Sequence, residues 1–152
     1  MLTLEKTLIL SLYELRLLIR GRAALIVLAA FPILAGVVLG LPARGESASA
    51  ARYGVFLILP ISALFLAVGL RTTGLLPPGE DRLAGPVVSG ASRALVAVVV
   101  LAVQAAMYAG TTALLAPESI PGIGMLLAAV AVSLALGIAA EILIPAHRVR
   151  AD

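Results

Sequence analysis

Side chains able to do chemistry are sparse in this chain and fall at few places. A lead holds Glu14, Arg16, Arg20 and Arg22, a polar stretch holds Glu80, Asp81, Arg82 and Arg93, and two isolated groups, Gln104 and Glu141, sit inside long apolar runs. Their types limit the reactions open to them. Cysteine is absent, which removes disulfides, thiolate metal sites and a thiol nucleophile. The single histidine, His147, removes paired-histidine haem ligation and a His-rich metal site within this chain. No GxxxxGK[ST] phosphate loop occurs, so the chain does not bind ATP by that route. The serines lack a paired histidine, and one carboxylate within the apolar runs is too few for a two-carboxylate metal site. The expectation is no catalytic residue, no metal, no cofactor and no enzymatic activity.

The elements that must carry these groups follow from composition. Of 152 residues, 62% are hydrophobic and 12% charged, and the mean hydropathy is +1.15. Eleven Lys/Arg and eight Asp/Glu cannot cover the exterior of a water-soluble fold of this size. Much of the exterior must therefore face lipid, and the expected fold is an all-α integral membrane protein in a single membrane domain. A helix crossing the hydrocarbon core needs about 20 apolar residues. Four segments qualify or nearly so: Ala23 to Leu41, Tyr53 to Leu70, Ala94 to Leu115 and Ile123 to Ile144. Basic residues stay on the cytoplasmic side. Residues 1–22, the 71–93 loop and the tail hold nine of them, against Arg44 and Arg52 opposite, so both termini are expected in the cytoplasm of a multi-pass plasma-membrane protein. The lead contains Glu5 and Glu14, which argues against a cleaved signal peptide. Membrane lipids are expected partners and nucleic acid is not.

The lead itself, residues 3–20, is too polar to span. It places Leu4, Leu8, Leu12, Leu15 and Ile19 on one helical stripe, with Thr7, Ser11 and Glu14 elsewhere. This spacing predicts an amphipathic helix lying at the interface, with Arg16, Arg20 and Arg22 near anionic headgroups and Gly21 at the turn into the membrane. The alternative is one long helix continuous with the first span, its arginines snorkelling. Residues 71–93, RTTGLLPPGEDRLAGPVVSGASR, exceed what a tight helical hairpin requires. Gly79 and the acidic pair suit the start of a helix of one or two turns, closed by Gly85 and Pro86.

Inside the spans, Gln104 should face another helix or an aqueous path, because an amide facing lipid costs a few kcal/mol. Interhelical hydrogen bonding is the plainer role and substrate contact the sharper one. Glu141, one turn from the end of the fourth span, suits an interfacial ion pair with Arg148 or His147, and a proton or ion relay is the alternative. Pro32 and Pro60 predict bends in the first two spans. Gly36 and Gly40 form a GxxxG pair, and Ala135 with Ala139 repeats the spacing. Such pairs serve contact within the bundle and contact with a second subunit equally.

Two stretches resemble the membrane subunits (permeases) of type-two ATP-binding-cassette exporters. Glu14 to Gly40, ELRLLIRGRAALIVLAAFPILAGVVLG, is similar to the family's opening: an interfacial helix with Glu-Leu-Arg, a basic patch, then a first span with a proline. The matching positions are Glu14, Leu15, Arg16, Arg20, Arg22 and Pro32. Asp81 to Arg93 resembles the segment after the second span, with Leu83, Pro86, Ser92 and Arg93 in corresponding places. The resemblance implies that Glu80, Asp81, Arg82, Leu83, Pro86 and Arg93 belong to a coupling segment seated on a cytoplasmic ATPase subunit. Family chains usually have six spans and carry an acidic-Gly-Thr pattern where this one has PPGED. The likeness thus covers about the N-terminal two thirds of such a permease and implies completion by a second membrane subunit or another copy. A non-catalytic accessory subunit of a larger respiratory or ion-translocating assembly is the alternative that composition leaves open.

Overall fold

The computed structural model of the protein describes residues 2–41, 48–72 and 85–143, with side chains other than those of residues 2, 22–27, 48, 68–72, 86 and 141. Helix α1 covers Leu2–Arg20 and α2 covers Arg22–Gly40. Between them Gly21 takes φ −76° and ψ 89°, outside the helical region, so the lead and the first apolar segment are two helices and not one. The short α3, Ala48–Tyr53, leads through Gly54 into α4, Val55–Thr72. Helix α5 runs over Pro86–Leu115. A single 3₁₀ turn, Pro117–Ser119, then turns the chain into α6, Ile123–Leu143. No strand occurs among the described residues.

Three helical stretches are long and apolar enough to cross a membrane: Ser49–Ala67, Val87–Leu115 and Ile123–Ala140. In α2 the described apolar stretch, Leu28–Gly40, is shorter. The hydropathy edges predict α2, α4 and α6 to within one or two residues, but α5 starts eight residues before Ala94. Residues 86–93, expected as the end of a loop, are its first two turns. Gly85 has φ +77°, a left-handed conformation open to glycine, and Pro86 occupies the first helical position, where its missing N–H costs nothing. The Gly-Pro pair therefore starts a helix instead of closing one.

Helix α5 is the hub: α1, α2, α4 and α6 all pack on it, while α6 lies chiefly along α4. The main core joins Val55, Leu59, Leu101, Tyr108 and Ala129, and a second cluster joins Leu18 of α1 to Leu66, Val96 and Val100. The GxxxG pair of α2 is used inside the chain. A Cβ placed on Gly36 would lie 2.9 Å from Thr111 Cβ, and one on Gly40 would lie 3.3 Å from Leu115 Cβ, so α2 and α5 approach backbone to backbone along that face. Ala135 and Ala139 of α6 are exposed, and only 11% of that helix's apolar window is buried.

Helix α1 divides differently from its leucine pattern. Leu4, Leu8, Leu12 and Ile19 are exposed, whereas Ser11, Glu14 and Leu18 are buried against the bundle. At 100° per residue the buried face lies about a quarter turn from the leucine stripe. Four of the five stripe residues are thus left exposed, Leu15 packs partly against the second cluster, and the polar face assigned elsewhere by periodicity is the one buried.

Candidate functional site: a polar face on α5

Helix α5 buries several polar side chains, three of them at helical spacing. Ser92 is fully buried, Gln104 is 2% exposed, and Tyr108 and Thr112 are fully buried. Positions 104, 108 and 112 are one turn apart and share a face. Three of these side chains each reach a different neighbouring element.

Ser92 Oγ donates to Glu14 Oε2 at 2.9 Å, in a contact buried from both sides. Hydrogen bonds to charged groups contribute about 1.5–3 kcal/mol, which offsets part of the cost of withdrawing a carboxylate from water. Ser89 and Arg93, in the same two turns of α5 as Ser92, make further interactions of their own, as does Glu14. The bond ties α1 to the first turns of α5 across 78 positions of sequence.

Gln104 Nε2 donates to Leu28 O at 3.0 Å. Leu28 is four residues before Pro32, so its carbonyl is the one that loses its helical donor to the proline ring. The amide of α5 replaces the missing N–H of α2, the repair that a proline in an apolar helix needs. Gln104 Oε1 is buried and makes no hydrogen bond. One half of the amide is therefore structural and the other half is unsatisfied.

Tyr108 Oη donates to Ala51 O at 2.5 Å. Ala51 lies near the end of α3, where the chain steps through Gly54 into α4, and terminal carbonyls there need outside donors. Glycine at 54 leaves room for both: a Cβ there would lie 2.5 Å from Tyr108 Oη and would also meet Leu39 Cδ1, so those side-chain ends would have to shift. At the same end, Arg52 Nη2 donates to Glu118 O at 2.9 Å, joining α3 to the 3₁₀ turn. Thr111, Thr112 and Ser133 satisfy their hydroxyls on carbonyls one turn back.

Of the remaining sequence-predicted positions, Arg16 and Arg20 are exposed on α1 and Arg22 opens α2. Pro86 opens α5, with Arg93 two turns in. Glu141 lies in the last turn of α6, its side chain outside the described set. Glu80, Asp81, Arg82 and Leu83 lie outside the described residues, so their grouping with Pro86 and Arg93 has no geometry to be judged by. Among the described residues no three His, Cys, Asp or Glu side chains come together. Sequence reasoning missed Tyr108 and the Glu14–Ser92 bond. The repeat Gln104, Tyr108, Thr112 was the available signal for the first.

An all-helical chain with three helices of spanning length is consistent with a multi-pass membrane protein. The chain matches no protein-family model, no curated protein and no solved structure.

Proposed function

We propose that this chain is a membrane subunit of an ATP-binding-cassette export complex, with four spans and both termini in the cytoplasm. In this reading α2 is the fourth spanning helix, residues 71–93 face the cytoplasm, and α1 lies along the membrane surface. The observation that carries it is the buried Ser92–Glu14 hydrogen bond. Glu14 and Ser92 come from the two stretches that resemble the exporter permeases, and nothing in composition requires those stretches to meet. Their junction gives a cytoplasmic ATPase seated on the 80–86 segment a rigid route into α5, and through the α5 hydrogen bonds into α2 and α3.

Affinity purification of the complex in mild detergent tests this. The expected result is co-purification of a cytoplasmic ATPase containing a phosphate loop, lost on combining Arg82→Glu with Leu83→Asp while helical content is unchanged. Absence of any ATPase with the wild-type chain would end this reading. The accessory-subunit alternative is favoured by the exposure of α6, and it predicts other membrane chains in the same pull-down without an ATPase.

A further inference from the structure

A hollow of about 250 Å³ opens between α1, α2 and α5. It sits beside the break at Gly21, where α1 and α2 part and pack on α5 separately. Leu18 and Ile19 of α1 and Leu28 of α2 wall it, and α5 contributes Val103, Gln104 and Met107. Among the described lining residues Gln104 is the only polar one.

Gln104 brings an unspent acceptor to this apolar wall. It is 2% exposed, its Nε2 is committed to Leu28 O, and its Oε1 is buried without a hydrogen bond. An unpaired buried acceptor is costly, and a donor held in the hollow would relieve it. The chemistry of that donor is narrow. A buried water makes about three hydrogen bonds, and the described wall offers it one side-chain atom. An acyl chain fills volume but has no donor, so it leaves Oε1 as it was. A charged group would lose its hydration to apolar walls. What fits is an uncharged molecule, apolar except for one hydroxyl or N–H. An apolar cavity of about 150 Å³ holds benzene, so this volume has room for about ten non-hydrogen atoms.

We propose that this hollow binds a small, neutral, largely apolar molecule whose single hydrogen-bond donor rests on Gln104 Oε1. Gln104 then uses both halves of its amide: Nε2 repairs α2 at Pro32, and Oε1 selects the ligand. The site does not depend on an export complex. Co-purification of an ATPase and binding of a small molecule are separate measurements, and either can fail alone.

The probes are indole, which carries one N–H, and benzofuran, of the same shape with oxygen in its place. Equilibrium dialysis of the full chain in nanodiscs against protein-free nanodiscs measures their binding. Wild type should bind indole about fivefold more tightly than benzofuran, the worth of one net hydrogen bond. Gln104 is the only glutamine and asparagine is absent, so its carboxamide gives the one side-chain amide signal in a labelled sample. Indole should move its carbonyl carbon downfield to saturation, and benzofuran should not. Gln104→Met, which keeps the length without the amide, should bring the two affinities together. Ala29 also lines the hollow, and Ala29→Leu should weaken binding of both probes. Leucine suits the helix, so this variant remains decisive if Gln104→Met loosens the fold. Equal affinities in wild type, no downfield shift with indole, a preference kept by Gln104→Met with full helical content, or undiminished binding to Ala29→Leu would each overturn the assignment. So would a wild type that binds neither probe because lipid or a helix of another copy fills the hollow.

Discussion

Pro32 deprives Leu28 of its helical donor, and Gln104, from another helix, supplies one. The two residues therefore depend on each other, and the dependence can be measured. Gln104→Leu should destabilise the chain by about 1 kcal/mol, the order found for hydrogen bonds between membrane helices. In a Pro32→Ala background the alanine N–H can bond Leu28 O directly, and Gln104→Leu should then cost close to nothing. It also removes the buried, unsatisfied Oε1. Unfolding by sodium dodecyl sulfate, followed by circular dichroism, gives the double-mutant cycle. Equal costs in the two backgrounds would mean that Gln104 does not repair the proline. At this scale Gln104 was legible because a lone amide in an apolar run has to find a partner. Its acceptor was not legible, since the link from Pro32 to a carbonyl four residues back becomes visible only when another helix is placed beside it. Tyr108 was hidden for a different reason: an aromatic ring in an apolar segment is ordinary packing material, and only its hydroxyl, aimed at Ala51 O, sets it apart.

Helix α2 meets α5 through glycines, and the two glycines are not equivalent. At Gly36 an added methyl would sit 2.9 Å from Thr111 Cβ, which is tied to the backbone, whereas at Gly40 it would sit 3.3 Å from Leu115 Cβ in the last residue of α5. Gly36→Ala should therefore force the helices apart at a cost of about 1–3 kcal/mol. Gly40→Ala should fall within about 0.5 kcal/mol of wild type, because alanine's helix propensity offsets a small displacement of the helix end. Equal effects in the same unfolding assay would place the α2–α5 register elsewhere. The glycine spacing could be read from sequence, but which helix it faced could not, because close approach suits any partner. The limits of α2, α4 and α6 were legible from the ends of their apolar runs to within one or two residues. That reading failed at Pro86 to Arg93, where Gly, Pro and Ser imitate a loop although Gly85 and Pro86 supply a helix start. The leucine stripe of α1 said nothing of which face packs on the bundle, because apolar residues in a membrane protein have two sinks, the bundle and the lipid.

The whole molecule is a set of helices held to one long helix at successive depths: α1 at Ser92, α2 at Gln104, and α3 at Tyr108. Ser92 and Tyr108 are sixteen residues apart, about 24 Å along the axis, so the outer two tethers lie near opposite faces of a core about 30 Å thick. The proposed topology then puts α1 at one membrane surface and the contact of Arg52 with Glu118 O at the other. In the proposed topology the nine-to-two distribution of basic residues puts the α1 surface in the cytoplasm. The absence of native cysteine makes this directly measurable, since a single introduced thiol is the only one present. Lys6 and Glu118 are both exposed. In intact cells a membrane-impermeant maleimide should label Glu118→Cys at once and Lys6→Cys only after permeabilisation. The reverse pattern would invert the topology and remove the cytoplasmic ATPase from reach of residues 71–93. Labelling of both thiols in intact cells would place α1 and the 3₁₀ turn on the same side, which four membrane crossings with α2 as the first do not allow.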